Sequence, residues 1–399
     1  MTKLIEIGIF GAPINNLNLG CQALTYSLIS LLEQTSKEIG IQFHYNIFEG
    51  NPDQQLVQTF SERLQLDVSK VTSIHLGSYR DILRMIKHFF HNKNMKEVLN
   101  DCAFVIDLTE GDSFTDIYGN DRFNTQTPFK EFVEKSTPLI LGSQTYGPFK
   151  SKYNEKRAAE VIKKATSVFT RDKISQDYVK KISGVDSILT CDLAFRLPFK
   201  SRASEKNGAA KRIGFNVSGL LVSDKKEGTS VEFSLKTNYD IFVRQILDYL
   251  TTEGYEVHLI GHVVADYIVN RALKKEYPSV ILAPEFDNPM DAKSYISSMD
   301  LFIGSRMHAT IGALTSNTPV VPVAYSRKFT GLFRDVEYPF TMDLCSKETD
   351  QIVQSVIERV VNYQETKEAT EKSYKIAMQK NDECLKAYKK VIENLLKRV

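Results

Sequence analysis

Tryptophan is absent from this 399-residue chain, so its cores must be filled by 23 phenylalanines, 18 tyrosines and aliphatic side chains. Cysteine is scarce: Cys21, Cys102, Cys191, Cys345 and Cys384 are odd in number and include no C-x-x-C pair. That argues against a disulfide framework or a zinc site and for a reducing compartment. No apolar run approaches membrane-spanning length, and the N-terminus enters a strand directly, without the apolar stretch and cleavage site of a signal peptide. A cytosolic protein is expected. A net charge of +2 gives no nucleic-acid footprint. The common nucleotide and hydrolase motifs are also missing. Gly8 and Gly11 are followed by no third glycine until Gly20, so the tight glycine turn of a dinucleotide site does not occur, although Glu49 stands where an acid could grip a ribose. There is no phosphate-loop motif, no D-x-D pair to bridge a metal to a diphosphate, and no nucleophile elbow around Ser218-Gly219.

What is present is ordinary for a soluble globular protein, with 42% hydrophobic and 25% charged residues. The length suits two domains. Strands are expected at residues 4–10, 41–48, 103–108, 138–142, 167–170 and 187–191, with helices from about 21 to 40, 81 to 100 and 154 to 165. His88 and His91 lie one turn apart in the second of these helices, but no third metal ligand accompanies them. A polar, lysine-rich stretch at 200–211 reads as a linker. Strands then recur at 212–217, 257–260, 280–282, 301–304 and 320–323, with helices near 239–252, 265–275, 292–299, 309–316 and 349–362. The alternation predicts an α/β protein of two doubly wound Rossmann-like domains facing a cleft, at 1–199 and 212–365, followed by a helix at 366–399. That helix carries an apolar stripe from Tyr374 to Leu396 and, at other positions, eight basic residues from Lys372 to Arg398. It is a packing helix with a solvated face or, alternatively, one attracted to anionic lipid at the inner face of a membrane.

Ligands of doubly wound sheets bind beyond the carboxyl ends of the strands. Arg306, His308, Arg171, Tyr146 and Asn18 all fall there. Ser305-Arg306-Met307-His308 joins the buried strand Leu301-Phe302-Ile303-Gly304 to the small-residue helix that follows. A helix N-terminus favours an anion, arginine adds a planar fork for carboxylate or phosphate, and histidine carries a proton near neutral pH. These residues propose an anionic substrate and proton-coupled chemistry. The plainer alternative is that Arg306 pairs with a neighbouring carboxylate and His308 caps its helix.

The combined segments resemble the polysaccharide pyruvyltransferase family. The similarity is strongest in Lys293-Ser294-Tyr295-Ile296-Ser297, Phe302 to Ile311, Thr318-Pro319-Val320-Val321-Pro322 and Ala324 to Gly331. Weaker matches are Asn18-x-Gly20, Gly111-Asp112-Ser113-Phe114, Tyr146-Gly147-Pro148, Arg171-Asp172 and His262. The chain departs from the pattern at Cys21, where many members carry an acid. The resemblance implies a fold like that of the B-type glycosyltransferases, phosphoenolpyruvate as donor substrate, and a sugar diol of a surface polysaccharide, or of its lipid-linked or nucleotide-linked precursor, as acceptor. The product would be a cyclic pyruvate ketal. Arg306 and His308 would contact the donor, with Arg171 as a second arginine. No cofactor and no metal are expected.

Other residues carry two readings each. Ser305 adjoins the donor residues. Lys328 contacts phosphate or is a surface lysine, and Tyr325 shapes the site or finishes a strand. His262 contacts the acceptor or is a satisfied structural histidine. Gln144 and Tyr146 are expected on the cleft edge of the first domain, touching donor or sugar. Asn16, Asn18 and Asp112 are sugar-hydroxyl partners or turn formers. Beside the pyruvyl transferase stand two alternatives: a B-type glycosyltransferase using a nucleotide sugar, argued from architecture alone, and an inactive sugar-binding relative.

Overall fold

The computed structural model describes residues 3–49, 53–76, 93–205, 211–222 and 234–397. Two compact units emerge. One comprises Met1–Asn16, Leu24–Arg196 and Lys380–Val399, the other Leu17–Ala23 and Leu197–Gln379.

The first unit is built on seven parallel strands: β1 (Leu4–Phe10), β2 (Gln42–Glu49), β3 (Val71–His75), β4 (Val105–Asp107), β5 (Leu139–Gln144), β6 (Ser167–Thr170) and β7 (Ile188–Leu189). Their order, β3-β2-β1-β4-β5-β6-β7, reverses direction between β1 and β4. Every residue of β4 and β5 is buried, as a parallel strand covered on both faces requires; Val105-Ile106 and Leu139-Ile140-Leu141 are apolar, and the polar Asp107, Ser143 and Gln144 stand at the carboxyl ends. The helices are α1 (Leu19–Ile39), α2 (Gln54–Arg63), α3 (Lys93–Asp101), α4 (Asn120–Val133), α5 (Lys152–Lys164) and α6 (Lys173–Ser183). Asp53, Ser151 and Asp172 cap three of them by accepting first-turn amides. Gly40 follows α1 with φ 72°, the left-handed residue expected past a helix end.

The second unit has six parallel strands in the order β10-β9-β8-β11-β12-β13: β8 (Arg212–Asn216), β9 (Glu256–Leu259), β10 (Ile281–Leu282), β11 (Leu301–Gly304), β12 (Val320–Ala324) and β13 (Met342–Asp343). Its helices are α7 (Gly219–Val222), α8 (Tyr239–Thr252), α9 (Val264–Glu276), α10 (Pro289–Ile296), α11 (Met307–Thr315), α12 (Arg327–Asp335) and α13 (Thr349–Val361); the last helix, α14 (Tyr363–Leu396), begins in this unit, and its residues from Lys380 onward belong to the first. Ile213, Phe215, Phe242, Ile246, Ile303 and Val321 lie in its core. The strand order reverses between β8 and β11, where Asn216 stands opposite Gly304.

Several expectations need correction. Helices α4, α6 and α12 were not anticipated. α4 contains Pro128 and buries Thr125, Gln126 and Lys130 beside its apolar residues, so it shows no clean 3.6-residue stripe. The final helix begins at Tyr363, and its apolar stripe is occupied: Ala377, Cys384, Leu385, Tyr388, Ile392 and Leu395 are buried. Tyr388 stacks on Phe169 with ring centroids 4.1 Å apart, and its hydroxyl accepts the Ser143 N–H at 2.8 Å. Only the charged face of this helix is left for any lipid contact. The start of the stretch read as a linker is pinned, since Lys200 N and Arg202 N donate to Ser294 Oγ and Ser297 Oγ at 3.1 and 2.9 Å. His88 and His91 lie outside the described residues. Among the described residues no helix is long and apolar enough to cross a membrane.

Candidate functional site

Three adjacent strand ends of the second unit, those of β9, β8 and β11, build the site around Arg306. Asn216, fully buried at the end of β8, accepts the Arg306 N–H at 2.8 Å and donates to Ile260 O at 2.8 Å. This amide ties the three strand ends together and sets where α11 starts. The Arg306 side chain then meets Asp266, in the first turn of α9. Nε lies 3.2 Å from both carboxylate oxygens, and one terminal nitrogen, Nη2, lies 2.7 Å from Oδ1. Asp266 is wholly buried and also accepts the N–H groups of Gly219, His262 and Val263 at 2.8, 3.1 and 3.3 Å. Burial works against the Arg306 charge, but the adjoining carboxylate outweighs it and holds the guanidinium above its ordinary pKa. Pairing with a neighbouring carboxylate, the plainer alternative for Arg306, thus does occur. It engages one edge of the fork, Nε with Nη2. The Nη1 side makes no hydrogen bond to the described residues, and the side chain keeps 16% exposure.

His308 is the second residue of α11 and is half-buried. The beginning of α1 lies against it. A Cβ on Gly20 would stand 2.4 Å from His308 Nδ1, so this position admits only glycine at the observed spacing. Asn18 caps that helix: its Oδ1 accepts Gly20 N–H at 2.9 Å and its carbonyl accepts Gln22 N–H at 3.1 Å. Leu19 N donates to His262 O at 3.3 Å. Asn18, expected with the first domain, therefore groups with the second unit. The His262 ring is buried, and neither nitrogen has a hydrogen-bond partner among the described residues. Burial, with the charges of His308 and Arg306 adding, pushes it down to about 3. It is not the satisfied structural histidine offered as its plainer reading.

Ser305 is buried and accepts the Tyr239 hydroxyl at 2.8 Å, while Tyr239 accepts the Ser218 N–H at 2.9 Å. Tyr325 and Lys328 sit after β12 and in the first turn of α12, both half-buried. The Tyr325 ring meets Phe329 edge-on at 6.2 Å and packs against the core.

The other sequence candidates lie in the first unit. Arg171 follows β6, buried, with Nη1 donating to Asp192 Oδ2 at 2.9 Å and Nε to Thr145 Oγ1 at 2.8 Å; Nη2 has no partner. Gln144 and Tyr146, expected to touch substrate, are both buried. Gln144 donates to Asp107 O at 3.1 Å, and Tyr146 is a core ring whose hydroxyl donates to Phe169 O at 3.0 Å. The segment after β5 turns back into the aromatic core of Phe114, Phe123 and Phe149. Asp112 accepts the Tyr118 hydroxyl at 3.1 Å, and Asn16 is half-buried. Glu49 does not stand ready for a ribose: its carboxylate accepts Ile14 N–H at 3.1 Å, Asn15 N–H at 3.5 Å and the Ser73 hydroxyl.

The motif at 293–297 is a strap rather than a site. Lys293, its amine pushed down to about 7 by burial, donates to Leu197 O at 3.0 Å and lies over the Phe199 ring. The residues that sequence reasoning missed are Asn216, Asp266 and Tyr239. A polar residue closing a buried strand marks Asn216, and an acid in the first turn of a helix marks Asp266. Nothing in the sequence pairs either with Arg306. All five cysteines are free thiols. Among the described residues no group of three or more His, Cys, Asp or Glu is gathered as a metal would require.

Comparison with known proteins gives these residues a context. The chain is 23% identical over 281 residues to the amylovoran biosynthesis protein AmsJ of Erwinia amylovora, a match spanning 64% of this chain and 65%, just under two thirds, of that relative. Among solved structures it resembles the UDP-GlcNAc 2-epimerase of Neisseria meningitidis (12% identity, TM-score 0.59, 99% of this chain and 100% of that one). It also resembles S. aureus TarM (10%, 0.57, 98% and 99%) and a glycosyltransferase of Rickettsia africae (9%, 0.58, 100% and 100%). At such identities the likeness is one of fold, that of the B-type glycosyltransferases and related epimerases. A family model described as polysaccharide pyruvyl transferase matches residues 18–327, from the cap of α1 to the first residue of α12. The match takes in Gly20, Arg171, His262, Asp266, Arg306 and His308 across most of the chain, and the chain belongs to the polysaccharide pyruvyl transferase family.

Proposed function

We propose that the protein transfers the pyruvyl group of phosphoenolpyruvate to a sugar diol during synthesis of a surface polysaccharide, forming a cyclic ketal. The observation that carries this reading is the split use of Arg306. One edge of its fork is fixed by Asp266 and the other has no hydrogen-bond partner among the described residues, beside the N-terminus of α11 and next to His308. Phosphoenolpyruvate places a carboxylate and a phosphate close together, and both suit a guanidinium and a helix N-terminus. In the reaction a proton is added to the vinyl carbon while one acceptor hydroxyl, losing its proton, bonds to the neighbouring carbon. Inorganic phosphate then leaves that carbon, and the second hydroxyl closes the ring with loss of its proton. His308 is the titratable group beside the donor in this scheme, as acid, base or partner of the departing phosphate. Such proton transfer is typically worth ~10²–10⁴-fold, and a bound carboxylate stabilises positive charge developing at the central carbon.

The nucleotide-sugar reading has one specific support, the fold shared with a 2-epimerase bound to UDP-GlcNAc. Incubation of the protein with phosphoenolpyruvate and a panel of nucleotide-linked and lipid-linked sugars separates the two. Mass spectrometry should show gain of a pyruvate ketal together with stoichiometric phosphate release. Thermal stabilisation by UDP but not by phosphoenolpyruvate, with no ketal formed, would reverse the choice.

A further inference from the structure

We propose that Ser218 and His262, together with the Nη1 side of Arg306, form a subsite for a phosphoryl group; the donor identity assumed here rests on the reading above. The three residues follow β8, β9 and β11, which are neighbours in the sheet. One carboxylate gathers them. Asp266 accepts the N–H of Gly219, next to Ser218, the N–H of His262 itself and the Arg306 guanidinium.

The unpartnered groups point to a ligand. The Ser218 hydroxyl and both ring nitrogens of His262 are buried and make no hydrogen bond to the described residues, with residue exposures of 0% and 3%. Buried polar groups without partners cost stability, and most are satisfied in native proteins. The backbone N–H groups beside them are already engaged. The Ser218 N–H is taken by Tyr239, and the N–H groups of Gly219, His262 and Val263 are turned onto Asp266. An anion bound at these strand ends is therefore held by side chains: a hydroxyl, a neutral imidazole N–H and a guanidinium. Asp266 already balances one charge of Arg306, so weakly charged donors complete the cradle. Three donors from three strand ends match the three peripheral oxygens of a phosphoryl group better than the two of a planar carboxylate. In this scheme the carboxylate of the donor lies outside the subsite, and phosphate is the last product group to leave it.

The test uses the full chain, two variants and three probes: inorganic phosphate, phosphoenolpyruvate and UDP. Ser218→Ala removes only the hydroxyl and keeps the N–H bond to Tyr239. His262→Phe fills the ring space without nitrogens. For each, melting temperature without ligand and affinity by calorimetry are measured. The expected signature is opposed: unliganded stability unchanged or raised, because an unsatisfied polar group is gone, and phosphate affinity roughly 10- to 100-fold weaker, the usual cost of losing one hydrogen bond to a charged group. A purely structural role would instead lower the melting temperature and spare affinity, and that result overturns the proposal. Absence of phosphate binding by the wild type overturns it as well. If phosphate or UDP binds with this signature but phosphoenolpyruvate does not bind, the subsite stands and the donor reading fails. If phosphoenolpyruvate binds equally to all three proteins, the donor reading stands and the subsite fails.

Discussion

Replacing Arg306 by lysine separates what this side chain does for substrate from what it does for the fold. In the protein the Nε and Nη2 edge contacts the buried Asp266 carboxylate at 3.2, 3.2 and 2.7 Å, leaving the Nη1 side for a ligand. Lysine keeps the charge and can hold Asp266 with one of its donors, but it has no second, rigidly placed edge. The expected loss is one to two charge-assisted hydrogen bonds to the donor. At ~1.5–3 kcal/mol each, that corresponds to roughly a 10- to 10⁴-fold drop in kcat/KM. Stability should fall by only about 1–2 kcal/mol, because Asp266 keeps a cationic partner and its three backbone donors. Arg306→Met supplies the contrast. It leaves the carboxylate buried without its counter-ion, and breaking such a pair typically costs ~3–5 kcal/mol. Urea denaturation of both variants, with steady-state rates from phosphate release, gives the two numbers independently. Activity of Arg306→Lys within threefold of wild type would show that the Nη1 side does not meet the donor. Equal destabilisation by both substitutions would show that Asp266 does not depend on the charge.

Stability should fall in mild acid because of His262, which burial and the charges of His308 and Arg306 push down to about 3. Its folded value lies below the ordinary ~6.5, so it costs nothing above that pH, and the loss grows as pH falls, to about 2 kcal/mol at pH 5. His262→Phe should remove this component of the pH dependence in urea titrations, and a wild-type-like slope between pH 7 and 5 would refute it. Gly20→Ala should displace the His308 ring, since the added Cβ would meet Nδ1 at 2.4 Å; a drop in kcat of tenfold or more with a melting temperature within a few degrees is expected, and unchanged turnover would show that the ring position is not needed. Arg171→Met should destabilise the first unit by ~3–5 kcal/mol by breaking its 2.9 Å ion pair with the buried Asp192, visible as a lower urea midpoint, and a change below 1 kcal/mol would mean that this pair adds little to stability.

The strands were the most legible elements. β1, β6 and β11 coincide with the residues expected: β11 is apolar and buried throughout, and Ile5, Ile7, Ile9 and Phe10 in β1 and Val168 and Phe169 in β6 supply the buried apolar positions. Helix α8 was equally clear, with Phe242, Val243, Ile246, Leu247 and Leu250 on one buried side. Where helical pattern and burial part company, the trace fails: α4 is helical around Pro128 and buries Lys130 against Phe10 and Phe114. The same holds at the site. That Arg306 and His308 stand at a strand end before a helix N-terminus follows from local order alone. Which carboxylate takes Arg306, 40 residues away, and which amide fixes its backbone, 90 residues away, are settled only when parallel strands bring their ends side by side. Local sequence thus determined the elements and the kind of chemistry their junctions offer. Tertiary structure decided which edge of Arg306 is engaged, why Gly20 must be glycine, and that Tyr146 belongs to the core, because each depends on distances between segments that no local pattern encodes.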